Sequence, residues 1–366
     1  MTIPQEGRQK AEDEKQNQRT SYFLLYPFLY SLLPPQFSVL SPQSSALPPP
    51  PSLTMTKITT ITLNPAIDQT IAIPNFQAGA VNRVAWEQSD PGGKGVNVAS
   101  FLADFGYSIA VSGFLGQENA EIFQAFFTQK QITDRFVRIP GKTRVNVKIV
   151  DEVKQEITDV NFPGQTAIES DIQSLIRTID QLAADYDWFI LSGSIPAGIP
   201  TRIYAELIDR LKAKNKTVVL DASGDSFREA ITAAPYAVKP NIHELEEVLG
   251  TVLDTEAKVI QAARNLLEQG IHTVVVSMGE KGAMFVEKAD VVLARPPQIE
   301  VKSTVGAGDA MVAGFVTAKL RGLPLTDGAR LATAFSLGAL TQIGPRLPPI
   351  AAIESTMQQV RVQSLH

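Results

Sequence analysis

The chain has 366 residues, 44% of them apolar, enough to fill the core of one large α/β domain or two ordinary ones. A formal net charge of -5 gives no general attraction to nucleic acid or an anionic membrane, so groups that bind phosphate must be locally focused and the expected partners are small molecules. The absence of cysteine removes disulfides, thiolate nucleophiles and cysteine metal sites, in keeping with a reducing, cytoplasmic setting, and His243, His272 and His366 are not spaced as zinc ligands.

Residues 1 to 20 are polar and charged, 21 to 33 form the apolar run SYFLLYPFLYSLL, and 34 to 54 are rich in proline and serine. The apolar run is shorter than the roughly 20 residues of a membrane-spanning helix and contains Pro27. Small residues at Ser44 to Ala46 suit a cleaved targeting signal, but Glu6, Glu12, Asp13 and Glu14 interrupt the positive region that such a signal carries. The expectation is a disordered extension over residues 1–54, ahead of one folded domain over 55–366.

From Lys57, β-branched runs such as ITTITL, WFILSGS, TVVLDAS and TVVVSMG alternate with amphipathic stretches. In one of these, 171–184, Ile172, Leu175, Ile176, Ile179 and Leu182 recur at helical spacing, and 201–212 behaves alike. This order predicts a mostly parallel sheet covered by helices. Two regions break it, near 68–90 and 143–162. In the second, TRVNVKIVDEVKQEITDVNF alternates apolar and polar residues like an antiparallel hairpin, which predicts a small separate sheet acting as a lid.

The motifs that carry chemistry fall at the ends of strands. TLNPAIDQT is expected to end the first strand with Asp68 at its carboxyl edge, where a carboxylate can accept from sugar hydroxyls. DPGGKGVNVASFLADFG then sets Gly92, Gly93 and Gly95 before a helix with Lys94 and Asn97 among them, an arrangement that can bind phosphate or hydroxyl groups, although glycine turns before helices are common. Arg144 and Lys148 share one face of an alternating strand, either a basic wall for a phosphorylated substrate or a solvated face. Ser194, in LSGSIPAG, either meets the substrate or makes the turn.

In AVKPNIHELEEVLG, Asn241 and Glu244 read as a helix cap or as holders of a hydrated magnesium ion. The turn Ser277 to Gly282 after TVVVS lies where nucleotides bind in open α/β sheets, or else makes a hairpin before AMFVEK. Finally, VKSTVGAGDAMVAGFVTAKLRG joins a strand to a helix through Gly306, Ala307 and Gly308. Phe315, Val316 and Leu320 are expected to give that helix an apolar side, and Gly322 and Pro324 to stop it. Small residues let the first-turn amides approach an anion. Asp309 beside them suits a general base, or simply stabilises its own helix dipole.

In this order TLNPAID, GGKGVNVA, TRVNVKI, LSGSIPAG, VKPN with Glu244, SMGEKG and TVGAGD resemble the PfkB carbohydrate kinase family, from about Thr56 to Val362. The resemblance implies an α/β fold of the ribokinase-like kind, a three-layer sandwich with a mostly parallel central sheet and a small β-sheet lid, through which members often form homodimers. It implies Asp309 as catalytic base with the amides of Gly306, Ala307 and Gly308 as anion hole. It places Asp68, Gly93, Lys94, Asn97, Arg144 and Ser194 on a phosphorylated sugar, with Arg83 as a second lid contact. ATP would meet Lys239, Asn241, Ser277, Gly279 and Gly282, and Mg2+ would lie at Asn241 and Glu244, directly or through water. KTRVNVKI followed by EITDVNFPG resembles members that phosphorylate fructose 1-phosphate on its 6-hydroxyl to the 1,6-bisphosphate. Tagatose 6-phosphate or fructose 6-phosphate is the alternative substrate, and a non-catalytic sugar-phosphate binder the alternative role. Neither glycine turn completes the G-x-G-x-x-G of dinucleotide-binding folds, and no G-x-x-x-x-G-K-[ST] occurs.

Overall fold

Valine- and isoleucine-rich runs become strands buried on both faces because the amphipathic stretches between them fold back as helices over those faces. The computed structural model describes residues 56–303 and 305–365, so the extension expected over 1–54 lies outside the described residues. Strand β1 (Lys57–Thr62) runs parallel to β4 (Ser108–Gly116) on one side and to β9 (Trp188–Ser192) on the other. From β9 the sheet continues in parallel through β10 (Thr217–Asp221), β11 (Ala237–Val238) and β12 (Thr273–Ser277). It ends in three antiparallel strands, β13 (Ala283–Val286), β14 (Val291–Arg295) and β15 (Arg361–Leu365). Short β5 (Thr133–Asp134) and β6 (Val137–Ile139) pair with β4 at the other edge.

Five helices cover one face: α3 (Glu169–Asp185), α4 (Ile203–Lys212), α5 (Gly224–Ile231), α6 (Ile242–Leu249) and α7 (Glu256–Glu268). The opposite face carries α1 (Lys94–Asp104), α2 (Glu121–Lys130), α8 (Ala307–Leu320), α9 (Leu325–Leu340) and α10 (Ile350–Gln359). The period of two along each strand feeds the two cores alternately. Phe189 and Leu191 enter the first and Ile190 the second, and Val274 and Val276 oppose Val275 in the same way. This is the three-layer sandwich expected.

The second sheet has the order β3-β2-β7-β8, from β2 (Ala66–Ala72), β3 (Trp86–Gly92), β7 (Arg144–Asp151) and β8 (Glu156–Val160). Pairing is antiparallel except between β2 and β7, which run parallel, the long stretch of chain between Ala72 and Arg144 leaving room for the crossover that parallel pairing needs.

Two expectations need correction. Asp68 is not at the carboxyl edge of the first strand: β1 stops at Thr62, the chain turns through Pro65, and Asp68 sits within lid strand β2. Helix α8 does not have one apolar side, since every residue from Asp309 to Ala318 is buried. It is wedged under α1 and α9, and a Cβ on Gly314 would lie 2.7 Å from Ala332 Cα, so only glycine admits that approach.

Candidate active site

Because β1, β9, β10, β11 and β12 are parallel, their carboxyl ends share one edge, where ligands bind in sheets of this type. Two helices start there after glycine turns. Gly93 caps α1 with φ 109°, and a Cβ on it would lie 2.9 Å from Pro65 Cα. Gly306 caps α8 with φ 80°. Neither helix has a side-chain cap, so their first-turn amides remain available to an anion.

The two helix starts meet at Asp309. Asn97 on α1 donates from Nδ2 to Asp309 Oδ2 at 2.8 Å. Burial raises the Asp309 carboxyl to about 6, with Asp221 adding to the rise while Lys94, Asn97 and Lys239 oppose it. A carboxylate tuned into this range can take a proton near neutral pH. Beside it Lys94 Nζ lies 3.0 Å from Asp221 Oδ1, and Lys239 Nζ lies 3.4 Å from the same oxygen. Burial acts to raise the pKa of Asp221, but Lys239 and Lys94 outweigh it and hold the group below the ordinary carboxylate range. Burial likewise acts to lower the Lys94 ammonium, yet Asp221, Asp309 and Glu244 together raise it. A Cβ on Gly308 would stand 3.4 Å from Lys239 Nζ, which places that ammonium against the GAGD turn.

On the lid side, Asp68 faces Asn146 across the β2–β7 pairing, and Asn146 Nδ2 donates to Asp68 Oδ1 at 3.1 Å. Burial raises the Asp68 carboxyl, with the Asn146 hydrogen bond and then Arg144 opposing. A Cβ on Gly92 would fall 2.0 Å from Asp68 Oδ2, so the turn leaves room for that carboxylate. Arg144 donates to the carbonyls of Asn64 (3.0 Å), Phe162 (3.1 Å) and Pro65 (3.3 Å), and thus clamps the crossing into the lid. Lys148 pairs with Asp159. Of the two basic residues expected to form a wall, Arg144 is thus bound to carbonyls, while Lys148, paired with Asp159, lines the cleft. Ser194 Oγ accepts from Asn64 Nδ2 at 3.1 Å. A cleft of about 690 Å³ runs between the lid and the loops at 300–306 and 343–345, with Asp68, Asn97, Asn146 and Gly306 in its wall.

Lys94, Lys239, Asn241, Ser277, Gly279 and Gly282 lie outside that wall. Asn241 and Ser277 are brought together by a parallel bridge at the ends of β11 and β12. The turn Gly279–Lys281 closes the antiparallel hairpin from β12 to β13, with Met278 N donating to Gly282 O at 2.8 Å, so the segment is a hairpin that also sits at a parallel strand's carboxyl end. Asn241 and Glu244 form a reciprocal helix cap. Asn241 Oδ1 accepts from Glu244 N at 2.9 Å, and Glu244 Oε2 accepts from Asn241 N at 2.8 Å. No cluster of three or more acidic, histidine or cysteine ligands occurs among the described residues. Beyond the cap, Asn241 and Glu244 offer a further amide lone pair and a further carboxylate oxygen, oxygen donors of the kind that fit water-mediated contact with magnesium.

Two members of this constellation were not singled out from the sequence. Asp221 closes the strand TVVLD, and a carboxylate directly after the apolar run VVL is the signal that could have found it. Asn146 sits between Arg144 and Lys148 on the same strand face, where its pairing with Asp68 depends on β2–β7 register.

A ribokinase-like sandwich with this site defines a sugar kinase, and residues 61–351 match the pfkB family carbohydrate kinase: the chain belongs to that family. Among its relatives, 1-phosphofructokinase of Rhodobacter capsulatus is 49% identical over 310 residues, covering 84% of this chain and 98% of the relative. The 1-phosphofructokinase of Escherichia coli K12 is 36% identical over 307 residues, covering 84% and 98%. Phosphofructokinase-2 of Escherichia coli, solved with potassium, superposes with a TM-score of 0.77 at 26% identity over 83% of this chain and 99% of that one. Its tetrameric inhibited form gives 0.76 at 25% identity, with the same coverage of 83% and 99%.

Proposed function

We propose that the chain transfers the γ-phosphoryl group of ATP to the 6-hydroxyl of fructose 1-phosphate, yielding fructose 1,6-bisphosphate and ADP. The observation that carries this reading is the buried Asp309, held by Asn97 at the start of α8 with two lysines beside it, in a chain whose curated relatives are 1-phosphofructokinases. Asp309 accepts the proton of the attacking hydroxyl. The amides of Gly306, Ala307 and Gly308, with Lys94 and Lys239, hold the charge on the transferring group.

Asp68, aimed by Asn146, accepts from sugar hydroxyls, while Gly93, Lys94, Asn97 and Ser194 bind the rest of the sugar phosphate. Arg144 contributes through the Asn64–Pro65 turn that it clamps. Lys239, Asn241, Ser277, Gly279 and Gly282 bind ATP. Asn241 and Glu244 hold waters of a magnesium ion, which offsets phosphate charge. The lid exposes Trp86, Ile157, Val160 and Phe162, apolar surface that suits a homodimer formed through the lids, and no helix among the described residues is long and apolar enough to cross a membrane. The assigned setting is the cytoplasm.

The test is ADP release with Mg-ATP and, separately, fructose 1-phosphate, fructose 6-phosphate, tagatose 6-phosphate and fructose. Preference for fructose 1-phosphate supports the reading. Preference for another sugar phosphate overturns the substrate, and binding without turnover overturns the reaction.

A further inference from the structure

We propose that Asp221 is a positioning residue for phosphoryl transfer, one carboxylate that holds Lys94 from the sugar side and Lys239 from the nucleotide side in a shared register. The inference rests on the kinase reading above. Asp221 ends β10 with its side chain fully buried, while those of Lys94 and Lys239 keep 35% and 7% exposure, so the carboxylate lies on the inner side of the lysines. Lys94 opens α1 and Lys239 follows β11, yet both ammonium groups converge on Asp221 Oδ1, at 3.0 and 3.4 Å. Two cations this close repel unless an anion lies between them.

The mount of that anion is rigid. Gly193 N donates to Asp221 O at 2.9 Å, Lys239 N to Leu220 O at 3.1 Å, and the buried Tyr204 hydroxyl bonds the carbonyls of Gly193 and Ser192 at 3.1 and 3.2 Å. The charged groups acting on Asp309 are Lys94 from α1, Asp221 from β10 and Lys239 after β11, with the neutral Asn97 as its hydrogen-bond donor. Without the Asp221 charge, Asp309 and Glu244 are the anions left to act on Lys94, and its ammonium is expected to turn toward the base. Asp221 thus keeps both lysines for the phosphoryl group and keeps Asp309 free to accept a proton.

The experiment is steady-state kinetics of Asp221→Asn against wild type, across pH, with ATP and whichever sugar phosphate the wild type prefers. Apparent KM for both substrates should rise by about tenfold, kcat should fall, and the acid limb of kcat should move to lower pH, because a negative charge facing Asp309 is gone. A variant that loses only thermal stability, with both KM values and the acid limb unmoved, overturns the proposal. Removing one partner from a buried charge cluster can prevent folding, so Lys239→Met is also compared with Lys239→Met/Asp221→Asn, in which a buried pair is removed together. The second change should raise the sugar-phosphate KM by about a further tenfold if Asp221 holds Lys94. No further rise means that it only neutralises Lys239, and the proposal falls. A wild type that turns over no sugar phosphate would instead sink the kinase reading itself.

Discussion

The two glycine turns that open α1 and α8 look alike in sequence and face each other in the site, yet their glycines serve different ends. In GGKG the missing side chains make room for the protein itself: a Cβ on Gly92 meets the Asp68 carboxylate, and one on Gly93 meets the Pro65 backbone. In GAGD the neighbours stand farther off. A Cβ on Gly306 would meet the edge of Phe101 at 3.3 Å, and one on Gly308 the Lys239 ammonium at 3.4 Å. The first turn is a packed joint between body and lid. The second is a roomier turn, a cradle without a side-chain cap, that leads into Asp309, the base proposed above. A glycine-rich motif is therefore evidence of close approach, and only the neighbours tell whether backbone or ligand is approaching.

Several measurements sharpen that contrast. The largest expected effect is at the cradle. Asp309→Asn should lower kcat by about 10² to 10⁴ with substrate KM values nearly unchanged. Retained turnover would remove Asp309 from the base role. The same residue sets a pH dependence: its folded carboxyl titrates at about 6 against 3.8 for the ordinary group, so kcat should rise with pH through about 6. The stability sign follows from that raised value. Proton binding by Asp309 stabilises the fold fully below the ordinary value, and this contribution is lost as pH rises through about 6. Asp309→Asn should accordingly melt higher than wild type at pH above that value, with the gap narrowing in acid, as thermal scans at several pH values would show.

At the joint, Gly93→Ala should destabilise the fold by at least about 1–3 kcal/mol, the cost of a strained backbone, with backbone overlap added. A lowered urea midpoint is the readout. Gly308→Ala should leave the midpoint unchanged and raise the apparent KM for ATP only a few-fold, about 2 to 5, by nudging Lys239. The reverse pattern would abolish the distinction between joint and cradle. The smallest effect is expected from Asn146→Ala, which frees the Asp68 carboxylate: the sugar-phosphate KM should rise about threefold with the KM for ATP unmoved. Equal shifts in both constants would show that Asn146 supports the lid as a whole.

Much of this molecule was written in local pattern. The unbroken apolar runs in WFILS and TVVVS, set against the helical period at 169–185, are enough to specify a covered parallel sheet, because such a run demands burial on both faces and the helical period supplies a single apolar face to cover it. The glycine turns and the Asp309 position were legible for the same reason, since short-range geometry places a residue at a helix start wherever the helix lies. Only the tertiary structure decided what depends on contacts between distant segments. It moved Asp68 into a lid strand, committed Arg144 to three carbonyls, and made α8 buried on all sides by stacking α1 and α9 against it. It also joined Lys94, Lys239 and Asp221, residues from three separate elements whose meeting no local spacing records. Their charges matter to one another only at distances that folding creates, and their burial, which tunes Asp309, is a property of the packed layers and not of any stretch of chain.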